Sequence, residues 1–263
     1  MGKRLLAFGR LTAVVCLASW TWSGVLGDAE DRSGFRIENK VFADNQKEPQ
    51  AESTTIFFRG VVYDYLKKPA EVTVFDKSRG RFVLLDIGRR VQTEINTQKI
   101  MAFTEALRKL AVGHSDPFVQ FLGDPKFEEQ FDETAGELTL SSPWMTYRIS
   151  TVAVESPTVA EQYREFSDWY ARLNTLLRPG ARPPFARLLV NAALQKRQLF
   201  PIETELTIRL KKGFPPKRKV IRSEHQFIRR LVESDRDRVA QTDQFMAIFK
   251  EVSFDEYQEK ISK

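Results

Sequence analysis

The stretch TTIFFRGVVYDYLKKPAEVTVFDKSRGRFVLLD, residues 54–86, decides the fold of this chain. It contains four short apolar runs separated by turns that carry glycine or proline, and these runs are Thr54–Phe58, Val61–Leu66, Val72–Asp76 and Arg81–Asp86. Apolar runs of this length with such turns between them are typical of β-strands joined as hairpins. Consecutive strands with short connections pair most simply as an antiparallel meander. The stretch therefore predicts an antiparallel sheet.

Several of these strands are apolar on both faces. In Arg81–Asp86 the side chains of Phe82 and Leu84 point one way, while those of Val83 and Leu85 point the other way. A sheet with one face in water would instead alternate apolar and polar residues. Both faces of this sheet are therefore expected to be covered, one by helices and the other by sheet curvature or by a ligand.

The rest of the chain adds strands and helices in alternating blocks. Further strand patterns occupy 35–42, 90–95, 127–132, 137–141, 145–154, 202–210 and 220–231. Helical spacing of apolar residues occurs in six segments, including one with Ile100, Phe103, Leu107, Leu110 and Ala111, and one with Phe185, Leu188, Leu189 and Ala192. About eleven strands with inserted helices predict an α+β fold with a curved, mostly antiparallel sheet, of which an incomplete barrel is one form. We expect residues 28–263 to form a single domain.

Residues 1–27 have the three-part organisation of a signal peptide. Lys3, Arg4 and Arg10 precede the mostly apolar segment Leu11–Ala18, and small residues lead to Gly27. This order predicts export, with cleavage near Gly27 and a mature protein in the periplasm or outside the cell. An uncleaved membrane anchor is the alternative, but the apolar segment falls short of the ~20 residues that a spanning helix needs.

Cys16 is the only cysteine and lies within the apolar segment. After cleavage near Gly27 the mature chain would have no thiol, so its stability would depend on its core and not on a disulfide. Acylation of Cys16, as in a lipoprotein, is an alternative, although Val15 is larger than the small residue that usually precedes a lipidated cysteine.

The charges do not indicate a nucleic-acid partner. The formal net charge is +6, but three of the basic residues lie in the signal peptide and the others are interspersed with acidic ones. One basic cluster lies in a predicted hairpin and contains Arg209, Lys211, Lys212, Lys217, Arg218 and Lys219. This cluster is either an exposed hairpin tip or a contact with anionic groups at the envelope surface.

No sequence motif indicates catalysis, a metal or a cofactor. The two histidines, His114 and His225, have no partner that the sequence identifies, and no H-E-x-x-H, G-x-S-x-G or glycine-rich phosphate loop is present. His114 lies between two helices, where a helix-capping role is expected. His225 is expected on the same strand face as Ile221 and Phe227. A hydrolase that uses either histidine remains an alternative.

Aromatic residues on the strands provide the candidate binding site. The predicted ligand-binding residues are Phe57, Tyr63, Tyr65, Phe75, Phe82, Leu84, Trp144 and Tyr147. They indicate a concave, ring-lined sheet that holds an apolar ligand, although sheet propensity and an ordinary core would produce the same pattern.

The strands Gly60–Tyr65, Val72–Asp76 and Arg81–Asp86 resemble those of the bacterial lipoprotein-carrier superfamily, over residues 52–154. That resemblance implies an incomplete antiparallel barrel with a helical lid, which holds acyl chains. The helices after residue 156 depart from this pattern. We therefore expect an exported, non-enzymatic binding protein for lipid or another apolar ligand. The alternative is an envelope structural or interaction protein with a fully packed core.

Overall fold

The computed structural model describes residues 34–44, 46–154, 156–178, 180–210 and 217–259. The predicted signal peptide, including Cys16, lies outside these residues, as do Lys211 and Lys212. The expected cleavage near Gly27 and the domain boundary that depends on it therefore stay predictions.

Twelve strands and six helices make up the described part of the chain. The strands are β1 (Gly34–Ala43), β2 (Ala51–Phe58), β3 (Val61–Leu66), β4 (Glu71–Asp76), β5 (Arg81–Asp86), β6 (Val91–Asn96), β7 (Glu128–Asp132), β8 (Glu137–Ser141), β9 (Met145–Ala153), β10 (Leu199–Leu210), β11 (Lys217–Ile228) and β12 (Lys250–Glu251). The helices are α1 (Thr97–Val112), α2 (Pro117–Gly123), α3 (Pro157–Leu177), α4 (Phe185–Lys196), α5 (Glu233–Ile248) and α6 (Phe254–Glu259).

All twelve strands belong to one sheet, in the order β12-β6-β5-β4-β3-β2-β1-β11-β10-β9-β8-β7. Strands β1–β6 form one meander and β7–β11 form a second meander interrupted by α3 and α4. Antiparallel pairing of β1 with β11 joins the two, and among the described strands only the short β12–β6 pair is parallel. The sheet is curved and does not close. The predicted α+β class with a curved, mostly antiparallel sheet is confirmed, with twelve strands where about eleven were expected.

Helices cover both faces of the first meander. On the inner face, which carries Phe57 and Phe82, side chains of α3 complete a core cluster that includes Phe166 and Leu173. On the outer face, the side chains of β2–β5 pack against Val239 of α5 and its neighbours. This arrangement explains the strands that are apolar on both sides, because each face has its own helix to exclude water.

A row of inner-face residues runs across the strands of the first meander. Cross-strand pairing aligns Phe35, Phe57, Val62, Phe75, Phe82 and Ile95, one from each of β1–β6. The Phe35 and Phe57 rings stack with centroids 4.2 Å apart, and those of Phe75 and Phe82 stack at 4.6 Å. Aromatic pairs at this separation add to the stabilisation from apolar burial.

Two of the predicted helix faces need correction. In α1, Ile100 and Ala111 are buried as expected, but Phe103 and Leu110 are 36% and 73% exposed, and Thr104 is buried instead. Thr104 tolerates burial because its hydroxyl donates to the carbonyl oxygen of Ile100 at 3.1 Å. In α4 the buried stripe runs through Ala186, Val190, Asn191, Ala193 and Leu194, whereas Leu189, which was expected inward, is 41% exposed.

The two edges of the sheet differ. One edge is the two-residue strand β12, which is too short to offer a long row of unpaired backbone groups. The other edge is β7, in which Glu128, Glu129, Gln130 and Asp132 are exposed.

We predict that Phe82→Ala lowers the free energy of unfolding by about 3–5 kcal/mol, because Phe82 is completely buried and its loss leaves a cavity beside Phe75. Urea titration followed by tryptophan fluorescence measures the change. Leu110→Ala on the exposed side of α1 is the control and should change stability by less than about 0.5 kcal/mol. Equal effects of the two substitutions would contradict the assigned core.

Candidate functional site

The eight predicted ligand-binding residues do not share one surface. Phe57, Phe75, Phe82 and Leu84 lie on the inner face in one buried cluster. The ring of Phe166 from α3 packs edge-on against Phe57 with centroids 5.7 Å apart, and it lies 6.3 Å from that of Phe75. Phe57 and Phe75 are therefore in contact with the protein's own helix, and Phe82 and Leu84 belong to the same buried cluster.

Tyr63 and Tyr65 lie on the opposite, outer face beneath α5. The Tyr63 hydroxyl donates to Asp243 Oδ1 at 3.2 Å, and that of Tyr65 is 3.0 Å from the hydroxyl of Thr242. The guanidinium carbon of Arg238 lies 3.9 Å from the centre of the Tyr65 ring, a cation–π contact. Both tyrosines anchor α5 to the sheet.

Trp144 and Tyr147 belong to the second meander, in a third cluster with α2 and α4. Trp144 lies 5.4 Å from Phe118, and Tyr147 lies 6.0 Å from Phe127, measured between ring centroids. The structure thus divides the eight residues among three clusters on two faces. Their role in ligand binding stays a prediction.

The inner face is incompletely covered where the two meanders meet. Inward-facing residues of β10, such as Leu206 and Ile208, are buried, and so are Phe35 and Ile37 of β1. In contrast, a group of inward-facing residues on β1 and β11 is only half-buried, and it consists of Asn39, Val41, Ile221, Ser223, His225 and Phe227. We call this group, which lies between the areas covered by α3 and α4, the central recess.

His225 occupies the middle of the central recess on β11, paired across the sheet with Asn39 of β1. Its Nδ1 lies 2.8 Å from Asn39 Oδ1. The amide nitrogen of Asn39 donates to the hydroxyls of Ser53 and Thr55 at 3.2 and 3.0 Å. Because the Asn39 oxygen must then accept, His225 Nδ1 carries the proton and Nε2 is left as an acceptor.

The hydrogen-bond chain continues from Asn39 to a buried carboxylate. The Thr55 hydroxyl donates to Asp64 Oδ1 at 2.7 Å, and the Tyr170 hydroxyl of α3 donates to Asp64 Oδ2 at 2.8 Å. Burial raises the pKa of Asp64, and the bonds from Thr55 and Tyr170 oppose that rise. Burial also raises the pKa of Tyr170. The chain therefore ties α3 to the sheet and fixes the orientation of the His225 ring through Asn39.

Arg187 of α4 is a charged residue that acts electrostatically on His225. Within the described part of the chain, the hydrogen-bond partner of this half-buried guanidinium is the Tyr163 hydroxyl, at 3.4 Å. Burial, followed by the charge of Arg187, lowers the pKa of His225 to about 3. Burial raises the pKa of Tyr147 of β9, and the charges of Arg187 and Arg182 oppose that rise.

Two buried polar atoms at the recess have no hydrogen-bond partner among the residues that the structure describes. They are His225 Nε2 and the hydroxyl oxygen of Thr204, whose residue is 4% exposed on β10 directly across from Ser223. An unpaired buried polar group costs free energy, so such atoms often mark a place where a ligand or an ordered water binds. The sequence pattern placed His225 on the correct strand face, but it did not indicate that these two atoms would be buried and unpaired.

The described residues contain no cluster of three or more histidine, cysteine or acidic side chains that could bind a metal. They also show no hydroxyl bonded to His225 Nε2, as a nucleophile–base pair would require. His114 lies in an exposed loop, where its Nδ1 accepts the backbone N–H of Asp116 at 2.9 Å. This bond lies in the loop before α2, whose N-cap is Asp116, so the expected capping role of His114 stays a prediction. No helix among the described residues is long and apolar enough to cross a membrane.

The basic hairpin cluster is only partly within the described residues. Arg218 and Lys219 are exposed, and Arg218 donates to the Thr207 hydroxyl at 3.2 Å and lies 3.9 Å from a Glu205 oxygen. The side chain of Lys217 is not described. Contact of this cluster with an envelope surface stays a prediction.

Comparison with known proteins identifies no family for this chain. No family model and no curated protein matches the chain. Among solved structures, a LolA superfamily protein from Nitrosomonas europaea matches 78% of this chain and 89% of its own, with 6% sequence identity and a TM-score of 0.27. This is a weak, fold-level resemblance, and the expected similarity to a carrier superfamily is supported only to that extent. At this TM-score it carries no conclusion about function.

We predict that His225 makes the protein less stable as pH falls below 6.5. The unfolded chain takes up a proton at its ordinary histidine pKa, whereas the folded state resists protonation until about pH 3. His225→Phe should therefore reduce the slope of unfolding free energy against pH by up to about 1.4 kcal/mol per pH unit. Urea midpoints measured from about pH 6.5 down to about pH 4 give that slope.

His114→Gln removes the other histidine from an exposed loop and is the control for this measurement. The slope of unfolding free energy against pH should be the same in His114→Gln as in the natural protein. An unchanged slope in His225→Phe would show that His225 is not held neutral in the folded protein.

Proposed function

We propose that this protein binds an apolar, acyl-type ligand in the central recess. The observation that carries the proposal is the incomplete burial of consecutive inward-facing residues of β11, namely Ile221, Ser223, His225 and Phe227, in a sheet whose other inner-face strands are largely covered by helices. An acyl chain laid along β11 would remove this surface from water, with a gain of about 25 cal/mol per Å² of apolar area.

The position of the recess also favours this site over the aromatic clusters. The rings of Phe57, Phe75 and Phe82 already contact one another or α3, so a ligand there would have to displace a packed helix. At the recess, a ligand would meet surface that is already partly open. The proposal therefore moves the expected site from the ring-lined strands to the junction of β1 and β11.

A second candidate is an interaction protein that binds no small molecule. It is favoured by the close packing of the predicted aromatic residues against the protein's own helices. Both candidates are compatible with a protein that works outside the cytoplasm, which the N-terminal pattern supports as a proposal.

We predict that Ile221→Lys reduces uptake of a fluorescent acyl probe at least about tenfold, because a lysine would place a charge on the floor of the recess. Gln226→Lys introduces the same side chain on the exposed, opposite face of β11 and is the matched control. Uptake is measured by fluorescence titration, with native mass spectrometry of the protein purified from its own source to detect bound lipid.

Absence of both bound lipid and probe uptake in the natural protein would reject the carrier function and favour the interaction protein. Equal uptake by the natural protein and both variants would show that the probe binds elsewhere than at the central recess.

We also predict that the exported protein lacks residues 1–27. Intact-mass measurement of protein recovered from the periplasm or medium should match a chain that begins near Asp28. A mass equal to that of the full chain would contradict cleavage. A mass increased by acyl groups on a chain that begins at Cys16 would support the lipoprotein alternative.

A further inference from the structure

We propose that His225 and Thr204 form a hydroxyl-binding subsite, so that the ligand is an amphiphile whose polar end is an alcohol. This inference rests on the proposed function, because it specifies the polar end of a ligand bound in the central recess. It adds a chemical class that neither the apolar strands nor the comparisons indicate.

Strand pairing places the two residues side by side on the inner face. Strand β11 lies between β1 and β10 in the sheet. Thr204 of β10 lies directly across from Ser223, which is the inward-facing residue that precedes His225 on β11. Thr204 and His225 are therefore diagonal neighbours on adjacent strands. Residues in this relation are about 7–8 Å apart, a separation that an aromatic side chain can reach across.

The hydrogen bond to Asn39 sets the direction of the other ring nitrogen. His225 Nδ1 lies 2.8 Å from Asn39 Oδ1, so this edge of the ring faces β1. The two nitrogens of an imidazole ring point in nearly opposite directions, and Nε2 therefore faces away from β1, towards β10 and Thr204. The proton lies on Nδ1, because the Asn39 amide nitrogen already donates to Ser53 and Thr55. Nε2 thus presents a lone pair on the side of Thr204 and needs a donor.

The described residues satisfy neither polar atom of this subsite. The buried Nε2 of His225 and the buried hydroxyl of Thr204 both have no hydrogen-bond partner in this part of the chain. Thr204 is only 4% exposed, so its hydroxyl is withdrawn from bulk water. Because the two atoms do not bond each other either, a third polar atom that satisfies both must come from a ligand or an ordered water.

An alcohol is the smallest ligand group that fits both atoms at once. Its hydroxyl can donate to Nε2 of His225 and accept from the hydroxyl of Thr204. A carboxylate or an ether has no proton to donate, so it would leave Nε2 unpaired. Apolar residues adjoin the subsite, since Ile221 and Phe227 lie on the same inward face of β11. The alkyl part of the ligand would therefore lie along β11, with its hydroxyl between the two strands.

Competition with the fluorescent acyl probe tests this assignment, with dodecanol and its methyl ether as competitors. The two compounds share the alkyl chain and the oxygen, but only the alcohol can donate a hydrogen bond. We expect dodecanol to compete at about tenfold lower concentration, because the ether leaves a buried acceptor unpaired. His225→Phe should abolish this preference.

Thr204→Val should weaken both competitors severalfold and keep the preference for the alcohol, because both oxygens can accept from Thr204. The matched control is Thr207→Val. Thr207 lies on the same strand and is 5% exposed, but it faces the outer side of the sheet. Thr207→Val should leave the affinities of both competitors unchanged.

Nitrogen NMR of protein labelled at histidine reports on the contact itself. The chain has two histidines, so His114→Gln assigns their signals. We expect the Nε2 resonance of His225 to move towards the hydrogen-bonded range on addition of dodecanol, and to stay in place on addition of the methyl ether. A resonance that already lies in the hydrogen-bonded range and does not move with dodecanol would indicate an ordered water only, and would overturn the subsite.

The outcomes separate this inference from the proposed function. Failure of the natural protein to bind the acyl probe would reject the acyl-binding function itself. Uptake of the probe with equal competition by the alcohol and the ether, or with competition by neither, would keep that function and overturn the hydroxyl subsite, whatever the stability of the variants. A preference for dodecanol that persists in His225→Phe, with its thermal midpoint unchanged, would also overturn the role of His225.

Discussion

The pairing of β1 with β11 is the interaction on which the rest of this structure depends. It joins residues 36–43 to residues 221–228 through eight antiparallel partners and makes one sheet of two meanders. Without this pairing, each meander would expose a long unpaired strand edge, which is a common cause of aggregation. The same register sets Asn39 beside His225, so the organisation of the central recess follows directly from this contact.

The first meander could be predicted from sequence because its information is local. Apolar runs separated by short turns specify hairpins, and Gly80 takes the positive φ of 59° that its turn requires. The class of the fold followed from counting such runs and the helical segments between them. The faces of α1 and α4 were less predictable, since Thr104 and Asn191 replace the apolar residues that helical spacing favours. The Thr104 hydroxyl and the Asn191 amide nitrogen donate to acceptors inside the protein, and composition does not reveal these bonds.

The central recess could not be predicted, because its residues come together through long-range contacts. Asn39 and His225 are separated by 186 positions, and the pairing of β1 with β11 brings them together. Sequence periodicity placed His225 on the inward face of its strand but gave no partner for it. The pattern of aromatic residues on the strands is pronounced, but it mainly marks residues of the core. Rings on strands indicate burial equally well whether a helix or a guest molecule provides the covering surface.

The acidic edge strand β7 has a consequence for how this protein behaves at high concentration. A second copy that approached this edge to extend the sheet would bring its own Glu128 and Asp132 against the same residues, and like charges directly opposite across a strand pair destabilise that pair. Arg197 forms an ion pair with Glu129 but does not neutralise the others. Electrostatic repulsion thus disfavours addition of a further strand to β7, while the two-residue strand β12 limits the opposite edge of the sheet.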